Sequence, residues 1–524
     1  MLRASIYWHC IERLVNTLLA SGLIARRDSG WSRRSRPLHF GWSLCLVFVF
    51  AATGCTHAPL PRIAGAPSAP PSASEPWRAP RGVVPREPAR AATTLPPDIA
   101  PRRESLMLSD VVDIALRNNP QTQLSWSQAR AGAAAYGAAS AAYAPTLDGS
   151  ANAVYSQTSI GQTLGGVGTR RSITPAVSLS YLLFDFGGRS GTVAAARAAA
   201  VALDLTHNAT LQNVALQVET AYFTFQAQRG LVAAARLSVA EADTNIASAR
   251  QRNQAGVATI ADVLQAETLR AQAQLDLETV EGNYQIGRGA LATAMGLPAS
   301  TRYELAPVND SIPVALAAAD VDTLINRALE NRPDLAAARV QILQSQAEVR
   351  VARSAEFPAL SLGSTFSHPF SSQPRASGYT YGLTLGVAVP IFNLARPYNV
   401  MAAQAQVDVS TARANLLRTE VAQQVYTSYY TLQTATQRSR TADVLLASAT
   451  RSEVVARARY RAGVGTILDL ITAQAALASA RAQQAQSRWI WSTALAQLAH
   501  DVGVLGPRGE SPIPLSTDST GIRQ

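Results

Sequence analysis

Two periods alternate along this chain. Residues 109–140 and 320–355 carry apolar side chains at the three-and-four spacing of a helix, and each run is broken by a proline, Pro120 and Pro333. A period of two then takes over. Leu147, Gly149, Ala151, Ala153 and Tyr155 alternate with Thr146, Asp148, Ser150 and Asn152. Past a glycine-rich loop, SIGQTLGGVGTRR, the residues Ile173, Val177, Leu179, Tyr181 and Leu183 alternate with Thr174, Ser178 and Ser180. In the second half Tyr379, Tyr381, Leu383, Leu385, Val387, Val389 and Ile391 alternate with Thr380, Gly382, Thr384, Gly386 and Ala388, across the loop SHPFSSQPRASG from PALSLGSTF. These runs predict β-hairpins at about 146–184 and 359–391, with strands of about 10 residues, the length a tilted strand needs to cross a bilayer.

Helical spacing returns after each hairpin over about 189–255 and 395–462, and again, past a short turn, over 259–297 and 466–502. The longer stretches would reach roughly 90–100 Å as helices, far beyond the globular norm of about 12 residues, so they read as coiled-coil objects. The two turns are near copies, AGVATIADV at 255–263 and AGVGTILDL at 462–470. Gly256 and Gly463 can end a helix in the left-handed conformation, with Val257 and Val464 supplying the apolar contact that accompanies such an ending. Thr259 with Asp262, and Thr466 with Asp469, have the spacing of a capping box for the next helix. Each copy therefore reads as the tip of a helical hairpin.

The recurrence extends over both halves. IALRNNP at 114–120 matches RALENRP at 327–333, Pro145-Thr-Leu matches Pro358-Ala-Leu, YLLFDFG at 181–187 matches VPIFNLA at 389–395, and VETAYFTFQ at 218–226 matches VYTSYYTLQ at 425–433. The offsets are 213, 213, 208 and 207, as expected of one unit of about 200 residues duplicated with small loop differences. Four strands cannot close a membrane barrel, because small barrels need about eight and open edges are not tolerated in lipid. Several chains must pool their strands. Helices with polar faces on more than one side, as in QNVALQVETAYFTFQAQRG, suit a hollow wall wetted inside and out.

Composition adjusts this picture in three places. The formal charge of +11 comes largely from the first 105 residues, where 14 Arg face six acids, so the rest of the chain carries no basic face that argues for nucleic acid. Cys10, Cys45 and Cys55 are the three cysteines, and the run LCLVFVFAATGC around the last two follows a basic stretch, which makes an export signal. Its ending, ATGC, resembles a bacterial lipobox with Cys55 as the lipidated first residue; the alternative is an ordinary signal cleaved near Ala52. Residues 58–104 are rich in Pro, Ala and Arg and read as a semi-extended tether with nothing to bury. The resulting divisions are 1–54 signal with a long leader, 55–104 lipid-anchored linker, 105–315 first repeat, 316–502 second repeat and 503–524 flexible tail.

In this order the lipobox, the two repeats of helix, β-hairpin and long helical hairpin, the tip YRAGVGTILDL and the strand exits LFDFGGR and PIFN resemble the TolC-type outer-membrane efflux channels, over roughly residues 105–502. The resemblance implies a mainly helical fold with membrane strands, a homotrimer whose four strands per chain make a twelve-stranded β-barrel, and a periplasmic α-helical barrel continuing it. It implies a passive conduit for drugs or other small molecules in the bacterial outer membrane. Its partners would be a periplasmic adaptor at the tips, an inner-membrane pump commonly of the resistance-nodulation-division class, and outer-membrane lipid. It further implies that Asp469 lines the periplasmic constriction and that Tyr460 hydrogen-bonds Asp262 to hold the entrance shut. Thr472 stands where some relatives have a second ring aspartate, and Gly465 where some have an arginine that reinforces closure. Gly256, Val257, Thr259, Gly463, Val464 and Thr466 are the adaptor-docking candidates. The bland alternative for all of these is that they end and cap helices.

No enzyme constellation is visible. His57, His207, His368 and His500 are scattered without metal-ligand spacing, and there is no free nucleophilic Cys or phosphate-binding loop, so neither a metal nor a cofactor is expected. Two other readings remain: a type I protein-secretion channel, and a lipid-anchored coiled-coil structural protein without a pore.

Overall fold

The computed structural model describes residues 62–63, 66–67, 95, 97–160, 166–306, 320–371 and 378–505. The expected signal at 1–54, the lipidation candidate Cys55 and the tail from 506 onward lie outside the described residues. The chain divides into two compact units, Met1–Arg90 and Ala91–Gln524. In the first, β1 (Arg62–Ile63) and β2 (Ala66–Pro67) pair antiparallel.

The second unit runs α1 (Leu108–Asn118), α2 (Pro120–Ser140), β3 (Thr146–Ile160), β4 (Gly166–Phe184), α3 (Gly188–Gln254), α4 (Ile260–Ala294), α5 (Val321–Asn331), α6 (Pro333–Ser354), β5 (Ala359–Ser367), β6 (Phe370–Ser371), β7 (Thr380–Ala388), α7 (Ala395–Arg461) and α8 (Ile467–Asp501). Pro120 and Pro333 open α2 and α6 rather than interrupting them, because a first-turn proline lacks only an N–H that has no helical partner. Asn119 adds the cap, its Oδ1 accepting from the Gln121 N–H at 2.8 Å.

The strands form one antiparallel sheet in the order β3-β4-β5-β7, with β6 on β4. Its register sorts the side chains by chemistry. Leu147 pairs with Leu179, Tyr181 with Leu362, Leu362 with Leu385, Val177 with Phe366, and Phe366 with Tyr381, so these apolar residues share one face. Ser150, Ser178, Thr365 and Gly382 fall on the other. Leu147, Tyr381, Leu383 and Leu385 are exposed in the single chain. The outer edges of β3 and β7 are unpaired among the described residues.

Two strand boundaries depart from the sequence expectation. Of the stretch read as a loop at 159–171, residues on both sides are paired strand, from Ile160 against Gly166 to Tyr155 against Arg171, since backbone pairing in a two-stranded ribbon does not require side-chain alternation. β7 stops at Ala388 although alternation continues to Ile391, because Pro390 has no N–H to donate.

α3 packs against α2 and α4 of its own half and against α6 and α8 of the other; α7 packs against α5, α6 and α8. The seams are narrow and rich in alanine, with Ala202, Ala215, Ala242 and Ala249 buried on α3 and Ala414, Ala435, Ala442 and Ala449 on α7. Larger side chains gather in two places. One core holds Val111, Ile114, Val218, Tyr222, Phe225, Leu291 and Tyr303, the other Leu324, Val421, Val425, Leu432, Trp491 and Leu498. The first also takes in Ile99 and Leu106, both buried, and Leu106 bridges to Leu305. The burial of Ile99 corrects the expectation that residues 58–104 bury nothing. A buried Ile or Leu contributes about 1.5–3 kcal/mol, enough to seat this entering segment on the core. No described helix is long and apolar enough to cross a membrane.

Candidate functional site

Both tips close by the same backbone device. Val257 N–H donates to Arg252 O at 3.0 Å and Gly256 N–H to Asn253 O at 2.9 Å; at the other tip Val464 N–H donates to Arg459 O at 3.0 Å and Gly463 N–H to Tyr460 O at 3.1 Å. Gly256 and Gly463 sit at φ +74° and +75°, where a Cβ would be strained. The capping boxes form on the far side of each turn. Thr259 N–H donates to Asp262 Oδ2 at 2.8 Å and Asp262 N–H to Thr259 Oγ1 at 3.3 Å. At the second tip Thr466 donates to Asp469 Oδ2 from its N–H at 3.1 Å and its hydroxyl at 2.8 Å, and accepts from Asp469 N–H at 3.2 Å.

The apolar contact expected of Val257 and Val464 does not bury them. They are 64% and 69% exposed, and Ile260 and Leu468 beside them are exposed too. The tip core is filled instead by Ala249, Val263, Ala266, Tyr460, Ile467 and Leu470, one layer further in. Each turn thus presents bare aliphatic surface.

Asp469 is held below the usual carboxylate range by the Thr466 backbone N–H and then the Thr466 hydroxyl, with Arg459 adding in the same direction. The like-charge effect expected of a ring of such residues would act the other way and needs more than one chain. Tyr460 is buried, and burial pushes its phenol up; Arg252 opposes this and Asp262 adds to it. The hydrogen bond expected between Tyr460 and Asp262 is not formed. Tyr460 Oη has no hydrogen-bond partner, and the Asp262 carboxylate is turned to the Thr259 N–H.

Arg252, which the sequence reading did not single out, takes up Tyr460 instead. Its guanidinium lies 4.7 Å from the Tyr460 ring centroid, and Nη1 donates to Tyr460 O at 2.8 Å. The position matching Tyr460 in the first half is Asn253, whose Nδ2 donates within its own tip to Ala258 O at 2.9 Å. The first tip therefore closes on itself, and the second is tied to the first. An ideal Cβ on Gly465 would stand 3.0 Å from Arg459 Cβ, so this turn is built around glycine there.

Above the tip a buried polar group joins three helices. Asn245 of α3 hydrogen-bonds Gln474 of α8, and Glu453 of α7, itself buried, accepts from Arg457 Nε at 2.7 Å and faces Gln474. No cluster of three or more His, Cys, Asp or Glu that could hold a metal occurs among the described residues.

Comparison with known proteins bears on what such a molecule is. The outer membrane efflux protein family model matches residues 111–297 and 324–504. Protein CyaE of Bordetella pertussis is 28% identical over 396 residues, 74% of this chain and 81% of that one. The pyoverdine export outer membrane protein OpmQ of Pseudomonas aeruginosa is 29% identical over 351 residues, 64% and 69% of the two chains. Among solved structures, the CmeC outer membrane channel of Campylobacter jejuni superposes with a TM-score of 0.70 at 19% identity, covering 77% of this chain and 87% of that one.

Proposed function

Because the chain belongs to the outer membrane efflux protein family, we propose that it is the outer-membrane channel of a tripartite efflux system, a passive homotrimeric conduit for small molecules. The observation that carries this reading is the sheet: among the described residues of a single chain it has one mainly apolar face, one mainly polar face and two unpaired edges. Three copies of a four-stranded sheet make a twelve-stranded barrel with its apolar face to lipid and its polar face to a wet lumen. The two halves are one duplicated unit, and their long helices continue the barrel as a periplasmic tunnel.

The tips are the gate and the docking surface. Exposed Val257 and Val464 offer aliphatic contact to a periplasmic adaptor, which couples the channel to an inner-membrane pump of the resistance-nodulation-division type. Asp469 supplies a ring of carboxylates at the mouth, and Arg252 holds Tyr460 across the joint between the halves. Cys55 is the acylated N-terminus that adds a lipid anchor to the barrel. A conduit has no bond to make or break, so its residues act by shape and charge along the path.

Reconstitution of the purified protein in planar bilayers tests this. Steady, cation-preferring conductance is expected from trimers. Well-folded protein that inserts without conducting, or stays at the surface, would be a tether and not a channel.

A further inference from the structure

The apolar face of the sheet has a measurable height. Its rows run from Phe184 and Leu360, at the end where the strands give way to helices, to Ile173, Ala153 and Phe370 at the other. Eleven residues of β4 separate Phe184 from Ile173. At about 3.3 Å per residue, on a strand tilted by about 40°, they climb about 28 Å, close to the band of about 25 Å that a membrane barrel shows to lipid. Aromatic rings mark both ends of this band. Phe186 stacks on Phe357 at 5.0 Å and meets Phe184 edge-on at 4.8 Å. At the far end His368 meets Phe370 edge-on at 4.5 Å and lies 5.5 Å from Tyr379. Aromatic girdles of this kind lie at the two lipid–water boundaries of a membrane barrel. Because the helices leave from the Phe184 end, the Ile173 end is the outer boundary.

The next row out on the same face brings in a charge. Arg171 of β4 is paired with Tyr155 of β3, and its guanidinium lies 5.5 Å from the Tyr155 ring centroid. Both residues are exposed in the single chain. One row further, Gln157 pairs with Thr169, two polar residue types. A guanidinium on the lipid face of a barrel is costly at the midplane and nearly free at the interface, so this row stands at headgroup level. β4 has β3 on one side and β5 and β6 on the other. Arg171 is therefore one strand in from the unpaired edge, and joining the edges of neighbouring copies leaves it facing lipid.

We propose that Arg171, resting on the Tyr155 ring, binds the phosphate of an outer-leaflet lipid. This rests on the barrel reading above and adds a ligand to its outer rim. The guanidinium fork meets two phosphate oxygens with parallel hydrogen bonds, and the ring beneath holds the fork in one orientation. Directly below, Ile173 and Phe370 are exposed on the same face, where the acyl chains of that lipid would lie. A free phosphate ion would make the first contact and not the second, which is why the site favours a lipid.

The test is native mass spectrometry of the full chain in nonionic detergent, with dioleoyl phosphatidic acid as the probe and dioleoylglycerol, the same tails without the phosphate, as its control. Wild type is expected to retain phosphatidic acid and to release dioleoylglycerol. Arg171→Gln should weaken retention at least about tenfold, and Arg171→Lys less, because an ammonium keeps the charge and loses the fork. Tyr155→Leu leaves the charge and removes the ring, and should weaken retention roughly threefold; it is the independent variant should circular dichroism show that Arg171→Gln does not fold. Undiminished retention by folded Arg171→Gln would overturn the proposal, as would equal retention of the two probes by wild type. Full displacement of phosphatidic acid by an equal concentration of inorganic phosphate would overturn it too, by making the ligand a free anion. In each of these cases wild-type conductance in planar bilayers would leave the channel reading standing. Wild type that neither inserts nor conducts would sink that reading and this inference together.

Discussion

Asp469 answers to two opposed influences. Within one chain the Thr466 N–H and hydroxyl stabilise its charged form and hold it below the usual carboxylate range. In a ring of three, its neighbours' charges would raise it. A carboxyl lowered in the folded state stabilises that state above the ordinary carboxylate range, near pH 4, and this contribution is lost as pH falls through the lowered value. Thr466→Val removes the hydroxyl and keeps the backbone donor. We expect block by multivalent cations, followed by single-channel recording, to disappear at higher pH in this variant than in the wild type; an unmoved midpoint would mean that Asp469 does not face the conduction path. The capping partners were legible because they are three residues apart and their chemistry is local. Arg252 and Tyr460 were not, since they are 208 residues apart on different helices and no period in the chain links them. The resemblance supplied a hydrogen bond to Asp262 that Tyr460 does not make.

Helix ends separate two kinds of glycine. Gly463 has φ +75°, and a Cβ there would come no nearer to another part of the chain than 3.9 Å from Arg252 Nη2, so an added methyl meets backbone strain alone, about 1–2 kcal/mol. Gly296, at φ +74°, ends α4 against the junction of α1 and α2, and a Cβ there would stand 2.5 Å from Asn118 O. Overpacking of that kind adds about 1–3 kcal/mol. Gly296→Ala should therefore lower the thermal midpoint in detergent clearly more than Gly463→Ala does, as read by circular dichroism. Equal shifts would show that the α1–α2 junction yields easily. At this scale the period-two runs made the strands plain, because one face of the sheet is mainly apolar. The extension of β3 and β4 into 159–171 was hidden, since a ribbon held by backbone pairing leaves no alternation to read. Ile99 was hidden too, as a single apolar residue in a Pro-rich setting that acquires meaning only through the core it shares with Phe225 and Tyr303, far along the chain.

For the whole molecule, the recurring motifs pointed to a duplicated unit, while the neighbours of each half were not legible in them, because motifs carry no record of which face meets which. The matched lengths of the two hairpins have a mechanical meaning. Two posts cut to one height give a level rim, and a rim can be sealed by a partner only if it is level. Removing one heptad from α3 and the facing heptad from α4 would drop that tip by about 10 Å and leave its twin untouched. We expect such a variant to form trimers and conduct in bilayers yet fail to support export. Removing the matching heptads from α7 and α8 as well should make the rim level again and restore at least part of the export in cells; if it restores none, the height of the rim matters beyond its flatness. On the proposed docking of an adaptor at the tips, equal length in the two halves is a tolerance on assembly, since an error in either post alone would break the seal.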